Sequence, residues 1–213
     1  MKKDIKLICF DLDKTLINQN SWYTLNLAMG MTPEEDQKLV DEYFAGKFSY
    51  EEWVKKILDL YLERGKANLK NITNALSKYE LADGAKEVVE QLKSKGYHIA
   101  LISGSINVLV DIVAKDLGIE LSEGVNAFIF DENDDLENIV TYGKDEIAKL
   151  NILESYCRKL GIDISECVCV GDGDNDIEMF KKTGKGITFR GSKIESDAWQ
   201  VIDNLSDLKD ILE

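Results

Sequence analysis

One proline and one histidine occur in 213 residues, and no apolar run approaches the roughly 20 residues that a bilayer-spanning helix needs. The scarcity of histidine excludes most. Ser-His-Asp and Cys-His machinery both use an imidazole base, and His98 stands alone within the expected strand Tyr97 to Ile102. It reads as a packed or edge-strand residue, so any hydrolysis here must run on carboxylates, lysine and metal. Basic residues are also few, 26 against 40 acidic ones, giving a formal net charge of -14 with no basic stripe. Long-range repulsion then argues against nucleic acid and anionic membranes as partners. The four cysteines, Cys9, Cys157, Cys167 and Cys169, include no C-x-x-C pair for zinc. They read as small apolar residues of a protein kept in a reducing cytoplasm. The opening Met1-Lys2-Lys3-Asp4 leads into an apolar stretch too short, and too acidic at its end, for a signal peptide. No Pro-rich linker, internal repeat or low-complexity stretch is present, and nothing fixes an oligomeric state.

What is there suffices for a packed core, with 44% hydrophobic and 31% charged residues. Lys6 to Phe10 reads as a buried strand. Helix-start signals follow at Thr32-Pro33-Glu34-Glu35 and at Ser49-Tyr50-Glu51-Glu52, with stops near Gly46 and Gly65. A further helical stretch covers about Leu69 to Tyr79, so residues 17–79 read as an all-helical insertion. Beyond Asp83 the pattern alternates. Helix from Gly84 to Lys95, strand to Ile102, helix from Ile106 to Leu117 and strand from Val125 to Phe130 come first. After an acidic turn, Asp131 to Glu137, helix runs from about Ile147 to Leu160, then strand from Cys167 to Val170. Helix from Asp176 to Lys182, strand from Gly186 to Phe189 and a short Val201-Ile202 strand complete it. Strands separated by helices imply an α/β fold with a doubly wound, mostly parallel, Rossmann-like sheet.

Three polar clusters directly follow apolar strands: Asp11-Leu12-Asp13-Lys14-Thr15, Ser103-Gly104-Ser105, and Gly171-Asp172-Gly173-Asp174-Asn175-Asp176. Ligands in open parallel sheets bind beyond the carboxyl ends of the strands. Five carboxylates meeting there require a cation. Asp, Gly and Asn are also ordinary loop residues, so each cluster alone could be a turn. A calcium-loop reading of Asp172 onward fails, because Ile177 and Thr183 stand where Gly and Glu belong. The Asp131 to Glu137 stretch fails likewise at Leu136 and reads as a solvated turn.

The ordered set of Asp11-Leu12-Asp13-Lys14-Thr15, Ser103, a downstream lysine and Gly171-Asp172-Gly173-Asp174-Asn175-Asp176 resembles the four motifs of the haloacid dehalogenase superfamily. The likeness is strongest to its phosphoserine-phosphatase-like branch, whose helical cap lies between the first two motifs. It implies a core of residues 1–16 and 80–213 with a cap of residues 17–79, acting on a small phosphorylated metabolite with Mg2+. By this resemblance Asp11 is nucleophile and metal ligand, Asp13 is the acid–base partner and lends its carbonyl to the metal, and Asp172 is a further ligand. Asp176 and Asn175 support the site. Ser103 and the Gly104 N–H hold phosphoryl oxygens at a helix N-terminus, and Thr15 steadies the loop and the phosphate. Lys149 and Lys144 both precede Gly171, and the family's spacing, about three helical turns, favours Lys149 as the phosphate lysine.

The chain departs from that branch where the leaving group is read. Asn20 and Ile57 stand where phosphoserine phosphatases carry a Glu and an Arg. Trp22, Tyr23 and Trp53 then have two readings: packing between cap helices, or an aromatic wall against the leaving group, a cationic amine or a ring. Two other functions use overlapping residues, a phosphomutase or phosphotransferase and a non-catalytic receiver-like module. The Asp13 carboxylate and the cap argue against the receiver.

Overall fold

The computed structural model describes residues 5–212; Met1 to Asp4, and with them the expectation about a leader, lie outside this range. The chain opens with β1 (Leu7–Phe10), followed by four helices in succession: α1 (Ser21–Ala28), α2 (Pro33–Phe44), α3 (Tyr50–Arg64) and α4 (Leu69–Leu76). Local chemistry starts two of them. Thr32 and Glu35 close a capping box on α2 with Pro33 in its first turn, and Ser49 and Glu52 do the same for α3, which ends at Gly65 in left-handed conformation. Alternation then begins with α5 (Ala85–Ser94), β2 (His98–Ile106), α6 (Asn107–Leu117), β3 (Leu121–Phe130) and β4 (Leu136–Thr141). It continues through α7 (Asp145–Leu160), β5 (Cys167–Val170), α8 (Ile177–Thr183), β6 (Gly186–Phe189), β7 (Gln200–Ile202) and α9 (Leu208–Ile211).

The seven strands form one sheet in the order β4-β3-β2-β1-β5-β6-β7, parallel except for the antiparallel edge pair β3–β4. Successive side chains of β1 point to opposite faces. Ile8 and Phe10 enter one apolar layer and Leu7 and Cys9 the other, so helices cover both faces. All four cysteines are buried and unbridged. β1 lies between β2 and β5, so the chain order reverses there and the loops after β1 and β5 open side by side. Those are the loops that begin with Asp11 and Gly171.

Three local expectations are corrected. The acidic turn ends at Asp135: Asp131 Oδ1 accepts from the amides of Asn133 and Asp135, while buried Leu136 begins β4. The pair β3–β4 is therefore a hairpin, and its turn meets the helical segment through Leu69 N donating to Asp134 O at 2.8 Å. Ser103, Gly104 and Ser105 lie inside β2 rather than after it, on an irregular stretch where pairing with β3 shifts register. The helix begins only at Asn107, so Ser103 and Gly104 are not at a helix N-terminus. His98 is neither packed nor on an edge strand. It is exposed at the start of the interior strand β2, opposite Leu7.

Candidate active site

β1 delivers Asp11 to the rim, where its amide donates to Val170 O of β5 at 2.9 Å. The chain then turns through Lys14 in left-handed conformation (φ 54°), and buried Leu12, Leu16 and Ile17 anchor the turn from below. A loop pinned by its apolar residues holds its carboxylates in fixed positions. Thr15 is buried in this turn, and its hydroxyl makes no hydrogen bond among the described residues.

Asp11, Asp172 and Asp176 present carboxylate oxygens that all lie within 4.8 Å of one another. Asp176 is thus as central to this cluster as the two residues expected from the sequence to ligate metal. Gly171 makes the approach possible, since a Cβ there would overlap the Asp176 carboxylate. Burial first, and then the charges of Asp11 and Asp176, push Asp172 up to about 7. Burial also raises Asp176 to about 6 against the opposing pull of Lys149. Like charges at this spacing resist ionising together. Three carboxylate donors with no nitrogen or sulfur ligand fit a hard divalent cation.

Among the described residues the cation buried with them is Lys149, which is fully buried on α7. Its Nζ lies 3.0 Å from Asp11 Oδ1 and donates to Asp176 Oδ1. Burial alone would pull this ammonium down, but the Asp11 and Asp176 carboxylates outweigh it and hold its pKa above the ordinary lysine value. Lys144 is exposed at the N-cap of α7 and makes no ion pair among the described residues.

Asp13 is held separately. Its Oδ2 accepts from the Ser21 amide at 2.9 Å and the Ser21 hydroxyl at 2.6 Å, at the first turn of α1. The Ser21 hydroxyl in turn accepts from Ser105 Oγ at 2.6 Å. Asp13 Oδ1 is buried with no partner among the described residues. Burial raises Asp13 to about 6, the two Ser21 bonds working against it. A carboxyl group held near 6 with one free oxygen can give and take a proton near neutral pH. Ser21 was not legible as a site residue, since a serine opening a helix signals only capping, and Ser105 stood in the second polar cluster without a role of its own.

Around Gly104 the contacts multiply. Its carbonyl accepts from Asn126 Nδ2 at 2.7 Å and from Trp22 Nε1 at 3.4 Å. A Cβ on Gly104 would meet the Asp145 carboxylate and, at 2.9 Å, Asn175 Nδ2. Asp145, also missed in the sequence, is pushed up to about 7 by burial against the pull of Lys149 and a hydrogen bond from Asn175. Asn175 therefore steadies Asp145. Ser103 is buried, its hydroxyl accepting from the Ser105 amide at 3.2 Å. Asn20 caps α1, its side chain accepting from the Tyr23 amide at 2.9 Å. Trp22 and Trp53 meet edge to face with centroids 5.0 Å apart. Ile57 is fully buried in the apolar core.

A family model described as haloacid dehalogenase-like hydrolase matches residues 5–184. A phosphoserine phosphatase of Methanocaldococcus jannaschii is 32% identical over 219 residues, spanning 100% of this chain and 99% of that protein. One from Campylobacter jejuni subsp. doylei is 28% identical, spanning 98% and 99% respectively. Among solved structures, a substrate-bound phosphoserine phosphatase complex is similar with TM-score 0.82 and 29% identity over 99% of this chain and 100% of that one. A phospho-aspartyl intermediate analogue of phosphoserine phosphatase follows at TM-score 0.81, 29% identity and the same coverage.

Proposed function

The chain belongs to the haloacid dehalogenase-like hydrolases and is a phosphatase of the phosphoserine-phosphatase-like kind; within that family we propose that it cleaves a small phosphorylated metabolite through an aspartyl-phosphate on Asp11, with Mg2+ as its metal. The observation that carries this reading is the Asp11 carboxylate, gathered with Asp172 and Asp176 and touched by the Lys149 ammonium. A carboxylate attacks a phosphate dianion only where charge is neutralised. When bound, a divalent ion held by Asp11, Asp172 and the Asp13 carbonyl, with Asp176 in support, supplies that neutralisation and polarises the phosphoryl group.

An Asp11 carboxylate oxygen attacks phosphorus and the bond from phosphorus to the ester oxygen breaks. The departing alkoxide takes the proton carried on Asp13, whose free Oδ1 supports this role. Water then attacks the aspartyl-phosphate, Asp13 removes its proton, and the bond from Asp11 to phosphorus breaks to release inorganic phosphate. Lys149 steadies Asp11 throughout and offsets charge on the phosphoryl oxygens, with Ser103, Gly104 and Thr15 as further contacts. Residues 17–79 act as a cap over a core of residues 1–16 and 80–213, excluding water during attack.

The test is turnover of p-nitrophenyl phosphate by the magnesium-loaded protein, followed by phosphate and alcohol together. Equal release of both, stopped by EDTA, supports the reading. Alcohol released without matching phosphate points to transfer onto another acceptor, and no release at all refutes a phosphatase.

A further inference from the structure

A pocket of about 370 Å³ has walls that include Trp22, Tyr43, Phe44, Tyr50 and Trp53, and Trp22 reaches from it to the Gly104 carbonyl. The rings are set at different angles around it. Tyr50 stacks on Trp53 with centroids 5.6 Å apart and planes 22° from parallel, while Trp22 meets Trp53 at 71°. No lysine or arginine is among the described residues that line it. The ionic groups on hand are acidic. Asp36 lines the pocket, and Asp145 adjoins the Tyr50 hydroxyl and faces Gly104, its Oδ1 shielded from solvent with no hydrogen-bond partner among the described residues. The Asp145 charge also reaches Tyr43 in the pocket wall and Asp11 in the catalytic cluster.

Aromatic faces beside a carboxylate with one oxygen free attract an alkylammonium and repel a carboxylate. Building on the phosphatase reading, we propose that the leaving group is an amino alcohol, so that the substrate is the phosphate monoester of a short alkanolamine lacking a carboxylate. Phosphoryl group and ammonium then lie on opposite sides of Gly104, the first at Asp11 and the second between Asp145 and the rings. A primary ammonium donates to Asp145 Oδ1, and methylated ammoniums rest on the ring faces. A phosphorylated amino acid fits less well, because its carboxylate finds no lysine or arginine among the residues lining the pocket: Lys149 is engaged by Asp11 and Asp176, and the fully buried Ile57 offers none.

Charge can be separated from shape with magnesium-loaded protein. The panel is phosphoethanolamine, phosphocholine, its neutral isostere 3,3-dimethylbutyl phosphate, phosphoserine and a nucleoside monophosphate, with p-nitrophenyl phosphate as reference. The ammonium esters are expected to exceed the isostere and phosphoserine in kcat/KM by at least about tenfold. Asp145→Asn is expected to move the ratio of ammonium ester to isostere toward unity, and Trp22→Leu to lower it. The parent panel decides even where a variant fails to fold. An isostere equal to phosphocholine, or preference for phosphoserine or the nucleotide, overturns the proposal while leaving the phosphatase reading intact. Failure on p-nitrophenyl phosphate as well overturns both.

Discussion

Lys149 Nζ lies 3.0 Å from Asp11 Oδ1, so the ammonium that neutralises the acidic cluster directly touches the carboxylate assigned to attack phosphorus. It also donates to Asp176, with no part of its side chain exposed. One buried cation thus serves a carboxylate from the loop after β1 and another from the loop after β5.

Removing that cation is expected to act on both stability and rate. Lys149→Met leaves Asp11 and Asp176 without their counter-charge, and losing one partner of a buried ionic group costs about 3–5 kcal/mol. The loss is expected in EDTA by urea unfolding and is smaller when Mg2+ takes over the neutralisation. For kcat with p-nitrophenyl phosphate the expected decrease is about 10²–10³-fold. Near-normal turnover would refute the role given to Lys149.

The relay from Ser105 through Ser21 to Asp13 makes a second prediction. The Ser21 hydroxyl hydrogen bond lowers the pKa of Asp13, so Ser21→Ala raises it. A general acid is lost as pH climbs past its pKa, so the alkaline limb of kcat/KM moves to higher pH. A decrease in kcat of about tenfold accompanies the lost positioning. An unmoved limb would mean that Asp13 does not transfer the proton.

Magnesium removal and pH are linked through the crowded carboxylates. Asp172 and Asp145 are raised to about 7, and Asp13 and Asp176 to about 6, from an ordinary 3.8. Each folded carboxyl holds its proton more tightly than the unfolded chain does. The associated stability is present below about pH 4 and is lost as pH rises through 6 to 7 in the metal-free protein. Magnesium restores the part that belongs to Asp172 and Asp176 by pairing with their ionised oxygens. The rise in Tm on adding saturating Mg2+ is therefore expected to be about 5–10 °C at pH 8 and smaller at pH 5. A larger rise at pH 5, or none at either pH, would contradict the metal site.

Much of this fold is written locally. The run Leu7 to Phe10 and the capping boxes of Thr32 and Ser49 need only neighbours to act, so their elements form near the expected places. Leu136 follows four acidic residues within five positions, and only its packing makes it a strand residue. Ser103 to Ser105 read as a post-strand turn because serine and glycine favour turns, yet β3 keeps them in the sheet. The motif acids were legible because Asp11, Asp13, Asp172 and Asp176 each follow an apolar strand. Asp145 was not: at the start of a helix an acid has an ordinary dipole role. Its place beside Gly104, Tyr50 and Asn175 depends on contacts far apart in the chain.

The central claim is that Asp11 carries the phosphoryl group, and Asp11→Asn tests it most directly, with kcat for phosphate release measured under saturating Mg2+ beside a melting curve. A folded variant whose kcat is lower by at least about 10³-fold is the predicted result. A folded variant releasing phosphate at the parent's rate would contradict it.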